Sequence, residues 1–150
     1  LSGTKELLLE CTDAFKKGKK EAGERGTLLK LSMQRVAYAA KNDQDAKEKN
    51  KLAYEYYKRF DNMFTGPGKV NKGLIEPLPR KQSLEELTEN LLICTPSQMI
   101  DKLGIYADIG VDEIIISAGF GQSQKDMLDS MRRISEKVIP CFKSTQSKVA

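Results

Sequence analysis

The residue types that most often carry out chemistry in proteins are scarce in this chain. It contains no histidine, which removes the commonest general base, the commonest metal ligand and every histidine-based triad. Its three cysteines, Cys11, Cys94 and Cys141, lack the spacing of a metal site. We expect them to be buried or idle thiols in a reducing cytoplasm. The sequence therefore predicts neither a catalytic residue nor a metal site in this chain.

The best candidate for a binding feature is the glycine-flanked loop Gly119-Phe120-Gly121, which closely follows an apolar run. A lone Gly-x-Gly does not match a dinucleotide-binding fingerprint, and it is weak evidence for phosphate binding. Two interpretations stay open. The glycines serve only the turn out of a strand, or they let a ligand approach the backbone closely.

Local patterns divide the rest of the chain into helices and strands. Thr95 to Gln98 form a capping box with Pro96 at the first helical position, and Gly110 is the expected end of that helix. The next strand is so apolar that a parallel sheet must cover it on both faces. The predicted elements are helix 4–22, strand 28–40, helix 44–60, an irregular lid 61–82, helix 83–91, helix 96–109, strand 112–118 and helix 123–142. Two strands are too few for such a sheet, so we expect further strands in the lid, association of copies, or a missing part.

Length and charge fit one domain that binds neither nucleic acid nor a membrane. The 150 residues carry a formal net charge of +4, and their basic residues are interleaved with acidic ones rather than gathered in a stripe. No apolar run approaches the ~20 residues of a membrane span. The N-terminal residues do not have the pattern of a signal peptide.

The last third of the chain resembles a known family. Residues 95–121, TPSQMIDKLGIYADIGVDEIIISAGFG, followed by a helix that ends EKVIPCF, are similar to the C-terminus of luciferase-like flavin-dependent monooxygenases. Upstream, Ala40, Asp43 and Ala46 match the family's Ala-x-x-Asp-x-x-Ala pattern more loosely. The sequence departs from the family at Cys94, where a glycine usually precedes Thr-Pro.

The resemblance implies an α/β fold, a partial TIM (β/α)8 barrel to which this chain supplies the last two strands, their helices and a lid insertion. The complete enzyme would use reduced flavin mononucleotide (FMN) and O2 to oxidise a small organic substrate. Ala40, Gly119, Phe120 and Gly121 would contact the flavin at the ends of these strands, with Phe120 as an apolar wall. Most flavin contacts and the polar catalytic residues of the family lie on earlier strands. We therefore expect this segment alone to be inactive and to bind no cofactor.

Three questions stay open at the level of the sequence. Barrel relatives that use a deazaflavin cofactor share the same C-terminal pattern. A non-catalytic α/β association module is a second alternative, because open strand edges and uncovered apolar faces favour a homo-oligomer or docking to a missing barrel half. Arg35 lies inside the first strand, where it either pairs with a carboxylate from another part of the protein or faces outward between helices.

Overall fold

The computed structural model of the protein describes residues 3–64 and 66–143. Its helices are α1 (Lys5–Glu21), α2 (Asp43–Phe64), α3 (Leu84–Asn90), α4 (Pro96–Asp108), α5 (Gln124–Arg133) and α6 (Ile139–Lys143). Its strands are β1 (Ser32–Ala39), β2 (Val70–Asn71), β3 (Leu74–Ile75), β4 (Leu92–Cys94) and β5 (Glu113–Ser117). A 3₁₀ helix, Gly23–Leu28, precedes β1, and a π-helical turn, Ile134–Val138, joins α5 to α6. Within these residues, no helix is long and apolar enough to cross a membrane.

A parallel sheet of three strands forms the centre of the described structure, in the order β4-β1-β5. The last three residues of β1 pair with β4, so that Ala39 lies opposite Cys94. The first five residues of β1 pair with β5, so that Val36 lies opposite Ser117. The predicted α/β class with parallel pairing is confirmed. The predicted number of two strands is wrong, because β4 is too short to show a periodic pattern.

Side chains of β1 alternate between two hydrophobic cores, as the geometry of a strand requires. Val36, Tyr38 and Ala40 lie in a core with residues of α2 and α3. Ala37 and Ala39 lie in the opposite core, with residues of α4 and of the π-helical turn. Helices therefore cover both faces of the sheet around β1 and β4.

The strand order differs from that of a barrel, in which strands that follow one another in the chain lie side by side. Here β4 and β5 lie on opposite sides of β1. The two crossovers thus run in opposite directions across the sheet, and right-handed crossovers of opposite direction place their helices on opposite faces. The described residues form an open sheet, and they do not close a barrel.

Strand β5 is less covered than its sequence predicts. Ile115 and Ile116 are 50% and 43% exposed, and only Ile114 packs into the cores. Covering on both faces was expected from the apolar run, and for β5 this expectation is wrong. The reason is that Ile115 and Ile116 belong to none of the hydrophobic cores, so no described helix packs over these side chains.

Several observed bounds differ from the predicted ones. Residues 28–31, predicted as strand, belong to the end of the 3₁₀ helix and a short link before β1. Helix α2 continues to Phe64, four residues beyond its predicted end. The segment predicted as a lid therefore begins inside α2, and it contains the antiparallel pair β2-β3. The predicted final helix, 123–142, is divided by the π-helical turn.

Candidate functional site

The candidate site lies at the carboxyl ends of the parallel strands. In open α/β sheets, ligands bind outside this edge, in a crevice between two strands whose following helices lie on opposite faces. The structure has such a pair. Strand β1 is followed by α2 on one face, and β4 is followed by α4 on the other.

A crevice of about 860 Å³ opens between these elements. It is lined by Ala46 of α2, by Ile93 and Cys94 of β4, and by residues of α3. Gln98, in the first turn of α4, donates from its Nε2 to Oδ1 of Asp43 at the start of α2 over 3.2 Å. The crevice has the size of pockets that hold small organic molecules, roughly 300–1,000 Å³.

Asn50 provides the crevice with an unsatisfied polar atom. Its side chain is 4% exposed, and its Nδ2 donates to the carbonyl oxygens of Ala46 and Ile93, each at 2.9 Å. Its Oδ1 is buried and has no hydrogen-bond donor among the described residues. A buried acceptor without a partner is costly, so an N–H or O–H group of a ligand in the crevice would stabilise this side chain.

Cys94 and Lys102 also line the crevice, but neither has the properties of a reactive group. Burial raises the pKa of the Cys94 thiol to about 11, although the nearby Lys102 ammonium opposes the shift. Cys94 is thus a protonated thiol at neutral pH, not a nucleophile. The Lys102 ammonium donates to the carbonyl oxygens of Thr88, Glu89 and Leu91, which lie at the end of α3. Burial lowers the pKa of Lys102, and the role of this side chain is to cap α3.

Two of the predicted flavin-contacting residues, Ala40 and Phe120, lie inside a core. The N–H of Ala40 donates to the carbonyl of Cys94 at 2.8 Å, and its side chain is buried. The Phe120 ring is 1% exposed and meets the Tyr38 ring edge-on, with 6.0 Å between centroids and 83° between planes. The structure brings Ala40 and Phe120 into one cluster, but it leaves neither open to a flat ligand.

The other two predicted residues, Gly119 and Gly121, lie at the surface of the loop after β5. Gly121 has a φ of 103°, a left-handed conformation that favours glycine. The side chain of Gln122 closes the loop: its Oε1 accepts from the Phe120 N–H at 2.9 Å, and its Nε2 donates to the Ala118 carbonyl. The Phe120 N–H is therefore already satisfied and is not available to a phosphate.

A charged network that the sequence did not predict surrounds Tyr38. The Tyr38 hydroxyl donates to Oδ2 of Asp45 at 3.3 Å. Lys49 pairs with Asp126 at 2.7 Å, and the Lys49 ammonium lies 5.6 Å from the centroid of the Tyr38 ring. Burial, assisted by Asp45 and Asp126, raises the pKa of Tyr38 to about 12. Tyr38 is therefore a hydrogen-bond donor at neutral pH and cannot act as a base.

Helix α5 binds the end of β1 directly, beyond the last residue of β5. The N–H of Ala39 donates to Oγ of Ser130 at 2.8 Å, and the carbonyl of Ala39 accepts from Nε of Arg133 at 2.6 Å. These side chains satisfy backbone groups that a neighbouring strand would otherwise pair with. The contacts fix α5 at the carboxyl edge, but they leave no polar atom of Ala39 for a ligand.

The segment 61–82, predicted as a lid, packs against the second half of α2. Asn62 donates to the carbonyl oxygens of Lys69 and Glu76, at 2.9 and 2.7 Å. Arg80 pairs with Asp61 at 2.9 Å, and its guanidinium lies 5.2 Å from the centroid of the Tyr57 ring. None of the described residues of this segment lines the crevice. A lid role stays a prediction.

The crevice was missed at the level of sequence because β4 was missed. The sequence does contain a signal for β4: Leu92-Ile93-Cys94 is a fully apolar triplet between a predicted helix and the Thr95 capping box. Asn50 gave no such signal, because one amide in a long polar helix is ordinarily exposed. In the part of the chain that the structure describes, no group of residues is arranged to hold a metal ion.

Comparison with known proteins gives one informative similarity. No family model matches the chain. Over 126 residues, the chain is 27% identical to the oxygenase component of the flavin-dependent trigonelline monooxygenase of Acinetobacter baylyi. The alignment covers 79% of this chain and 34% of that protein, so the chain spans about a third of the relative's length. The similar protein is a flavin-dependent monooxygenase, the general class that the resemblance of residues 95–142 also implies.

Proposed function

We propose that the chain is part of the oxygenase component of a flavin-dependent monooxygenase, which oxidises a small organic substrate with reduced flavin and O2. The observation that carries the proposal is the similarity to the Acinetobacter baylyi oxygenase. The helix-strand-loop-helix pattern of residues 95–142 supports it independently of that alignment. The proposal concerns the whole protein, since the chain spans only a third of its relative.

The four predicted contacts do not form a flavin site by themselves. Ala40 and Phe120 are buried in a core, and only Gly119 and Gly121 are exposed. We therefore assign FMN binding mainly to other parts of the protein, and we assign no chemical step to this chain. In flavoenzymes the oxygen chemistry belongs to the cofactor, while the protein orients the reactants and excludes water. This chain would contribute the crevice, which accepts an organic ligand beside Asn50.

A chimaera tests the proposed function. The segment of the Acinetobacter baylyi oxygenase that aligns with this chain is replaced by the chain, and O2 consumption with reduced FMN and trigonelline is measured. We expect consumption well above that of the oxygenase with the segment deleted. Activity no higher than that of the deletion would contradict the proposal.

Two controls accompany the chimaera. Ile93→Asp places a charge in the buried strand β4, so it should abolish the gain by unfolding the inserted part. Titration of FMN with the isolated chain, followed by flavin fluorescence, should show no saturable binding. Micromolar one-to-one binding would contradict the assignment of FMN to the rest of the protein.

Association is a second candidate function, favoured by the exposure of Ile115 and Ile116 on β5. An edge strand with exposed apolar side chains is a template for pairing with another chain. Sedimentation of the isolated chain at increasing concentration tests this alternative. A monomer at every concentration, unchanged by Ile115→Lys, would exclude self-association through β5.

A further inference from the structure

Arg35 carries a charge in the interior of the described structure. It lies in β1 between Met33 and Ala37, and it is 5% exposed. A guanidinium stays protonated in proteins, so burial cannot be relieved by loss of the charge. Such a group ordinarily pairs with a carboxylate.

No carboxylate of the described residues forms an ion pair with Arg35. The positions outside the described ranges contain no aspartate or glutamate. Within the described part, the contacts of Arg35 are weak: its Nη2 donates to the carbonyl of Gly3 at 3.4 Å, and its guanidinium lies 5.7 Å from the centroid of the Tyr106 ring. Its Nε is buried and has no hydrogen-bond partner there. Among the described residues, the side chain thus has no negative counter-charge.

Two clefts meet at this side chain, and their volumes are about 160 and 240 Å³. Both are lined by Gly3, Leu8 and Arg35. The smaller cleft also contains the carboxylate of Glu89 together with the ammonium groups of Lys5 and Lys102, so its charged lining groups are of both signs. Among the described residues, Arg35 is the one charged residue that lines the larger cleft, and most of the other walls are apolar, among them Met33 and Val111. A cavity of about 150 Å³ is large enough for benzene.

We propose that Arg35 binds the carboxylate of a small organic acid whose apolar body occupies the larger cleft. The planar guanidinium matches a carboxylate with two parallel hydrogen bonds, and such a pair would satisfy the orphaned Nε. The apolar walls favour a ligand with a hydrocarbon or aromatic body. Free phosphate fits less well, because among the described residues that line this cleft a dianion would find no second cation and few polar groups. This site is separate from the crevice and does not depend on flavin chemistry.

Benzoate is the probe for this site, and thermal unfolding of the full chain is the first measurement. At constant ionic strength, benzoate at ten times its dissociation constant should raise the Tm by about 3–6 °C relative to chloride. Arg35→Met should remove this response, and it should not lower the Tm in chloride, because an apolar side chain then replaces an unpaired buried charge. Glu89→Gln is the matched control, and it should keep the response.

Each contrary outcome overturns the proposal. These outcomes are an unchanged Tm of the wild type in benzoate, an equal response of Arg35→Met, and a larger response to phosphate than to benzoate. A fourth is a loss of stability in Arg35→Met that does not add to the loss in Glu89→Gln when the two changes are combined. Such non-additivity would identify Glu89 as the existing counter-ion. If Arg35→Met does not fold, the NMR resonance of the Arg35 Nε–H in the wild type tests the proposal. It should shift on addition of benzoate and not on addition of chloride.

Discussion

The two edge strands, β4 and β5, pair with the same central strand and have similarly apolar sequences, but their environments differ. In β4, Leu92 and Ile93 are each 1% exposed. In β5, Ile115 and Ile116 are 50% and 43% exposed. The difference lies in the helices. Strand β4 lies between α2 and α3 on one face and α4 on the other. In contrast, none of the described helices covers Ile115 or its register partner Gln34, which is also exposed.

The two strands show that an apolar sequence does not by itself determine burial. A run of isoleucines predicts a strand, but the position of the strand among the helices decides how much of it is removed from water. The crevice lies beside the covered strand, where rigid surroundings can hold a ligand. The uncovered strand has an exposed apolar surface. If burial determines the energetics, changes in β4 should cost more stability than matching changes in β5.

Truncation of one isoleucine in each strand should give the largest difference in the free energy of unfolding. Ile93→Ala removes a fully buried side chain and should lower the free energy of unfolding by about 2–5 kcal/mol. Ile115→Ala acts at a half-exposed position and should cost less than about 1 kcal/mol. Urea unfolding followed by circular dichroism measures both values. Equal losses would mean that β5 is buried in solution, for instance by association.

Thiol reactivity should distinguish Cys94 of β4 from the exposed Cys11 and Cys141. Since burial raises the pKa of Cys94 to about 11 from the ordinary 9.0, its thiolate fraction near neutral pH should be lower by about 100-fold. In an assay with an aromatic disulfide, the two exposed thiols should react fast and Cys94 slowly, because little of its thiol is ionised. Raising the pH towards 11 should speed the slow reaction. Three equally fast thiols would contradict the burial of β4.

Ser130→Ala should weaken the contact between α5 and the end of β1. The change leaves the buried N–H of Ala39 without an acceptor, which costs about 1–3 kcal/mol. Ser135→Ala is the matched control in the following turn, because Ser135 is exposed and should contribute nothing measurable. Hydrogen exchange adds a local measurement. The Ala39 amide should lose protection from exchange in Ser130→Ala but not in Ser135→Ala.

Local signals predicted part of this fold accurately. The capping boxes at Ser83 and Thr95 set the starts of α3 and α4, and the observed bounds of these helices differ from the predicted ones by at most one residue. Caps work in this way because they join residues only three positions apart. The same reasoning could not predict the strand order, which depends on how helices far apart in the chain pack together.

The candidate site was predictable only in its location at the strand ends. Phe120 lies in a core, where its ring meets that of Tyr38, and its role as a wall of a flavin site stays a prediction. Asn50 is recognisable as a site residue only from the structure, in which its Nδ2 donates to the carbonyl of Ile93, 43 positions away in the sequence. Such pairings are set by tertiary packing, and no pattern within one segment contains them.

The smallest predicted effect concerns the ion pair between Lys49 of α2 and Asp126 of α5. The hydrogen bonds from Lys49 and then Ser123 lower the pKa of Asp126 below its ordinary value. A carboxyl whose pKa is lower in the folded state stabilises the protein above its unfolded pKa, and this contribution is lost as the pH falls through the folded pKa.

Lys49→Met should therefore reduce stability at neutral pH by less than Ser130→Ala does, because the pair is partly exposed and screened by solvent. The difference from the wild type should shrink below about pH 4 and vanish once Asp126 is protonated in the folded state. Urea unfolding between about pH 7 and pH 2 follows this change. Lys47→Met, on the same helix at an exposed position, should show no such pH dependence. A constant difference at every pH would mean that Lys49 acts through its packing on the Tyr38 ring, so that α5 is held by Ala39 rather than by this charge.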